Sequence, residues 1–123
     1  MAQHHAPLVS MSEHIRDDGV LVRVGGRLDR RTAADVRTAM HRLLSGPGPA
    51  VLLDLDEAVI GDATALGLLV ELRRLAQRSG VELRVVAADD RTARLLCRVR
   101  LHALLTPPLR TTAVVGPTLA QVV

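Results

Sequence analysis

Apolar positions along the chain switch between two spacings. Residues 8–15 and 19–24 are rich in alternating or dense apolar positions, with Arg16-Asp17-Asp18-Gly19 between them. Asp-Gly in such a place signals a hairpin, because glycine takes positive φ without steric cost. Val20-Leu21-Val22-Arg23-Val24 is dense enough for an interior strand, and Gly25-Gly26 is expected to end it. Arg27 to Arg31 reads as a loop. Thr32-Ala33-Ala34-Asp35 then has the form of a capping box, with Thr32 as N-cap and Asp35 at the third helical position. Val36, Met40, Leu43 and Leu44 follow at helical spacing, until Ser45-Gly46-Pro47-Gly48-Pro49 breaks the helix.

Ala50 to Leu55 is a near-continuous apolar run, the pattern of a strand covered on both faces. A second helix is expected from about Asp62 to Ser79, closed by Gly80. Val81 to Ala87 reads as a strand. Asp89 or Asp90 opens a third helix with Leu95, Leu96 and Val99 on one face and Arg91, Arg94 and Arg98 on the wet one. Thr111 to Val115 reads as a last short strand, with a turn of helix from Pro117. Strands separated by helices require crossovers. The pattern therefore predicts one α/β domain: a mixed, mostly parallel sheet of four to five strands with helices packed on it. The domain is expected over 8–115, with a tail at 1–7 and a short C-terminal segment at 116–123.

Composition narrows this picture. At 123 residues the chain can bury one core. It has no Phe, Tyr or Trp, so aliphatic side chains must build that core, among them Leu53, Leu55, Leu69 and Val85. The pI near 10.8 overstates its basicity: the net charge is only +3, and every basic side chain other than histidine is arginine. With scattered arginines and no aromatic to stack on bases, nucleic acid is not an expected partner. Cys97 is a single cysteine with no internal disulfide to make, read as a small buried hydrophobe. No stretch has the length of a membrane span and none resembles a signal peptide, so a cytoplasmic location is expected.

Most chemistry of α/β domains is missing its residues. There is no lysine for a phosphate-binding P-loop, no Gly-x-Gly-x-x-Gly after a strand, and no Gly-x-Ser-x-Gly elbow. Asp54, Asp56, Glu57 and Asp62 form the one acidic run, read as solvated charges at a strand end rather than a metal site. No metal, no cofactor and no catalytic residue are expected, and the chain reads as a binding protein, not an enzyme.

The informative stretch is Val51 to Leu69, a buried strand leading through an acidic turn into Asp62-Ala63-Thr64-Ala65-Leu66-Gly67. With Asp62 as N-cap, Thr64 sits where backbone N–H groups lack partners and the helix dipole is positive, a setting that suits a phosphate. This stretch resembles the Asp-Ser-Ser/Thr-Gly-Leu-Gly motif of the STAS domain, the fold of the anti-sigma-factor antagonists (anti-anti-sigma factors). Gly26-Arg27-Leu28-Asp29-Arg30-Arg31-Thr32-Ala33 is similar to that family's Gly-x-Leu-Asp-x-x-Thr-Ala segment, and Arg94 to Leu105 to its third helix and the turn after it.

The resemblance implies a bacterial regulator of transcription. In its unphosphorylated form it would bind an anti-sigma-factor serine/threonine kinase, freeing the sigma factor. Phosphorylation at Thr64 would switch it off. Asp29, Arg30, Arg31, Asp62, Ala63, Ala65, Leu66 and Gly67 are the implied partner surface. Two positions depart from the motif. Ala63 replaces the usual first serine. Ala65 replaces the usual glycine, favouring the helix by ~1 kcal/mol while placing a methyl where a partner backbone is expected to approach. Two alternatives stand beside the switch: a constitutive STAS scaffold or transporter-associated subunit, and a STAS domain that binds a nucleotide or other small ligand.

Overall fold

The computed structural model describes residues 8–105. The chain order is β1 (Val9–Arg16), β2 (Gly19–Leu28), α1 (Ala33–Leu44), β3 (Val51–Ile60), α2 (Ala63–Ser79), β4 (Leu83–Ala87), α3 (Asp90–Arg98) and a 3-10 turn at His102–Leu104. The strands form one sheet in the order β1-β2-β3-β4, with β1 antiparallel to β2 and the other pairs parallel. This is the mixed α/β architecture that the sequence pattern predicts. Leu105 adds a single parallel bridge to Val85. The strand expected at 111–115 and the turn from Pro117 lie outside the described residues.

The hairpin at the sheet edge is fixed by Gly19, whose φ is +147° and where a Cβ would stand 2.3 Å from the Ala50 carbonyl oxygen. Val20 N–H donates to that same carbonyl, locking the start of β2 to the segment entering β3. One aliphatic core joins Val22, Val24 and Leu28 of β2 to Leu53, Leu55, Ala58 and Ile60 of β3, under Met40 and Leu44 of α1 and Leu68, Leu69 and Leu72 of α2. The expected core residues Leu53, Leu55, Leu69 and Val85 are all buried. Across the two helices Arg37 Nε donates to Glu71 Oε2 at 2.9 Å.

Three expectations about the strands and the third helix fail. Gly25-Gly26 does not end β2, which runs on to Leu28. Gly26 has φ +98°, and a Cβ there would lie 2.6 Å from the Leu8 carbonyl oxygen, so glycine serves close pairing with β1. The strand expected to stop near Leu55 continues to Ile60. Arg23 pairs with Asp54 but Gly25 with Glu57, so β3 carries one extra residue, a bulge that leaves Asp56 and Glu57 both exposed and returns Ala58 and Ile60 to the core. Cys97 is exposed on α3 rather than buried, and Val99 at the helix end is exposed too; Leu96 and Thr92 are the residues that helix buries.

Candidate functional site

The two sequence motifs meet at one end of the sheet. β2 delivers Leu28 into the turn Asp29-Arg30-Arg31, and β3 delivers Ile60 into Gly61-Asp62. Leu28 and Ile60 are partners in the ladder. Gly61 N–H then donates to the Leu28 carbonyl at 2.7 Å. A Cβ on Gly61 would stand 2.8 Å from Arg27 Nε and 3.0 Å from the Leu28 carbonyl oxygen, so a side chain there would displace the Arg27 guanidinium and press on the joined segments.

Asp62 uses both carboxylate oxygens. Oδ1 accepts from Ala65 N–H at 3.2 Å, capping α2, and Oδ2 accepts from Arg30 N–H at 3.0 Å, tying the turn to the helix start. The expected cap is therefore present, with a second contact across the chain. Gly80 closes the far end of α2 in the left-handed conformation at φ 72°.

The capping box expected at α1 does not form. Thr32 is at the N-cap position but makes no side-chain cap. It is 2% exposed, and its hydroxyl donates to the Arg27 carbonyl at 2.9 Å and accepts from Asp29 N–H at 3.0 Å. Asp29 takes over the role of acceptor. Its Oδ1 accepts from Arg31 N–H at 2.8 Å and Thr32 N–H at 3.3 Å, and Arg27 Nε lies 3.3 Å from Oδ2. The Arg31 backbone N–H is the main reason the Asp29 carboxyl is held below its usual pKa; the Thr32 N–H and the charges of Arg31 and Arg27 add to it against partial burial.

Thr64 is exposed in the second helical position of α2, beside exposed Ala63; Leu66 is half-buried and Gly67 exposed. Ala65 departs from the expected surface. It is 1% exposed and belongs to the core cluster, so its methyl packs inward and does not stand in a partner's path. Arg30 and Arg31 are exposed and, among the described residues, are bound into the turn through their backbone N–H groups only. Arg27 and Gly61 were not singled out from sequence, yet they complete the joint: Arg27 also donates to the Gly61 carbonyl at 3.3 Å. The glycine directly before the capping aspartate was the available signal.

Among the described residues no group of His, Cys, Asp and Glu has the arrangement of a metal site. Among them, too, no helix is long and apolar enough to cross a membrane. A cavity of about 400 Å³ lies beside the β3 bulge, lined by Ser10, Ser12, Arg23, Asp54, Asp56 and Glu57 among others.

A mixed sheet with an antiparallel edge hairpin, and a capped helix that opens beside a turn joined to it, defines a class of small α/β domain. The sequence profile of the STAS domain matches residues 10–115, and the chain belongs to that family. Comparison with curated proteins finds no match. Among solved structures, an anti-sigma factor antagonist from Mycobacterium paratuberculosis superposes with a TM-score of 0.70 at 22% identity, covering 83% of this chain and 88% of that one. An antisigma-factor antagonist STAS domain from Rhodobacter sphaeroides gives a TM-score of 0.54 at 24% identity, covering 68% of this chain and 94% of its own. The Bacillus cell fate determinant SpoIIAA in its phosphorylated form gives 0.63 at 11% identity, covering 86% and 92%. At these identities the likeness is one of fold.

Proposed function

We propose that this chain is an anti-sigma-factor antagonist: a binding protein, not an enzyme, that engages an anti-sigma-factor serine/threonine kinase in the cytoplasm and is released by phosphorylation at Thr64. The observation that carries the reading is the exposed hydroxyl of Thr64 on the first turn of α2, beside a turn anchored to the same helix start by Asp62. A kinase can reach such a hydroxyl without unfolding anything. The added phosphate brings close to two negative charges, which a helix N-terminus tolerates, so the fold survives. The cost falls on the complex instead, and each 1.4 kcal/mol lost from binding weakens it about tenfold. The surface meeting the partner comprises Asp29, Arg30, Arg31, Ala63, Leu66 and Gly67, with Asp62 beneath it. Names carried by the structural neighbours support the same role.

The small-ligand alternative is best represented by the cavity beside the β3 bulge. Three carboxylates face one guanidinium there, a lining that repels nucleotide phosphates. The test of the switch is a pull-down from native cytosol with and without ATP, followed by intact mass. The reading requires a captured kinase and a gain of one phosphate, mapped to Thr64, that abolishes capture. Stable capture indifferent to ATP would leave the constitutive scaffold in its place.

A further inference from the structure

Three arginines, Arg27, Arg30 and Arg31, lie on or next to the turn that is tied to Gly61 and Asp62 at the start of α2, and they are differently employed. Arg27 is spent on Asp29 and on the Gly61 carbonyl. Arg30 and Arg31 contribute backbone N–H groups to the joint, while their exposed guanidinium groups make no hydrogen bond or ion pair among the described residues. The charge of Arg31 reaches Asp29 through space only. Among the described residues, two uncommitted guanidinium groups are thus carried on a turn whose backbone is tied at Arg30 to Asp62, two residues before Thr64, and at Arg31 to Asp29.

We propose that Arg30 and Arg31 form a receptor, within the same chain, for the phosphate on Thr64. This rests on the reading of Thr64 as phosphoacceptor and adds how the mark is read. Guanidinium groups bind phosphate oxygens bidentately, with charge-assisted hydrogen bonds about twice as strong as neutral ones. The turn is already fixed by the Arg30 N–H to Asp62 bond, so only side-chain freedom is lost on capture. Phosphorylation then does two things to the docking surface at once: it adds an anion and withdraws two cations. A partner whose contacts are carboxylates loses its counter-charges and meets a repulsive one.

The test uses the full chain with phosphothreonine incorporated at position 64 during translation, so that it does not depend on any kinase. The second pKa of the phosphate, near 6 when free, is followed by phosphorus NMR. It should lie lower in the otherwise native chain and return towards 6 in the Arg30→Gln/Arg31→Gln variant, which keeps both backbone N–H bonds. Arg78→Gln is the control. It sits about 21 Å further along α2 by helical rise, beyond the roughly 8 Å screening length of physiological salt, and should leave the value unchanged. Should the double variant fold poorly, the unmutated chain still decides: the side-chain Nε–H signals of Arg30 and Arg31 should shift on phosphorylation and that of Arg78 should not. Equal phosphate pKa values in native and double-variant chains, equal shifts with Arg78→Gln, or unmoved Arg30 and Arg31 signals would overturn the receptor while leaving the switch standing. Failure of every kinase to modify Thr64 would overturn the switch and not this chemistry.

Discussion

Two threonines stand at two helix starts in this molecule, and they have opposite fates. Thr32, before α1, is buried and its hydroxyl is fully used, closing a turn back onto Arg27 and Asp29. Thr64, just inside α2, is exposed, and the capping work is done for it by Asp62. A hydroxyl at a helix start is therefore either mortar or a handle, depending on whether the preceding turn folds back onto it. Each swap of a group at one start should have a different cost at the other.

The core beneath both starts sets the scale. Leu53→Ala removes a fully buried side chain and should cost about 2–5 kcal/mol in urea unfolding; a loss below 1 kcal/mol would contradict its placement in the core. Thr32→Val keeps the shape but strips a partner from the Arg27 carbonyl and the Asp29 N–H, for about 1–3 kcal/mol. No loss would mean that hydroxyl is as idle as the one on Thr64. Asp62→Ala should cost about 1 kcal/mol through the lost cap and should loosen the 29–31 turn as well, seen as faster amide exchange at Arg30. Unchanged exchange there would break the link between the two starts.

Asp29 adds a pH dependence to the first start. Its carboxyl is held below the usual range, so it stabilises the fold fully above the ordinary carboxylate pKa of about 3.9, and this contribution fades as pH falls through its lowered value. Asp29→Asn should flatten the loss of stability on acidification below about pH 4, measured as melting temperature against pH. An unaltered acid slope would show the carboxylate to be unpaired in solution. The smallest effect on stability belongs to Thr64→Ala, within about 0.5 kcal/mol, although it should have the largest effect on regulation: constitutive binding of the kinase. Thr64→Glu should bind poorly at a similar melting temperature. Equal binding by both variants would leave Thr64 a bystander.

The same contrast shows what could be read from the sequence. The helix start at Asp62 was legible because its cap is local, three residues from the N–H it serves. The start at Thr32 was misread as a capping box because the competing acceptor, Asp29, lies upstream in a turn whose shape depends on β2 continuing through Gly25-Gly26. Those glycines look like a strand end until the edge strand is alongside them. The bulge in β3 was hidden for a similar reason: Asp56 and Glu57 resemble the end of a strand, and only pairing with β2 shows that Ala58 and Ile60 rejoin the core. The inward turn of the Ala65 methyl follows from helix phase, since Leu68, Leu69 and Leu72 share its face.

The bond from Arg30 to Asp62 spans 32 residues of sequence. It can exist only after β2 and β3 have aligned in parallel, a pairing that must first close a long loop and so comes at an entropic disadvantage. The proposed docking surface is consequently a property of the finished fold and of no fragment. A chain still maturing, or one partly melted, would offer the proposed kinase nothing to hold. By mass action, a bound partner would in turn protect the native chain from unfolding, so the lifetime of the regulator and its occupancy would rise and fall together.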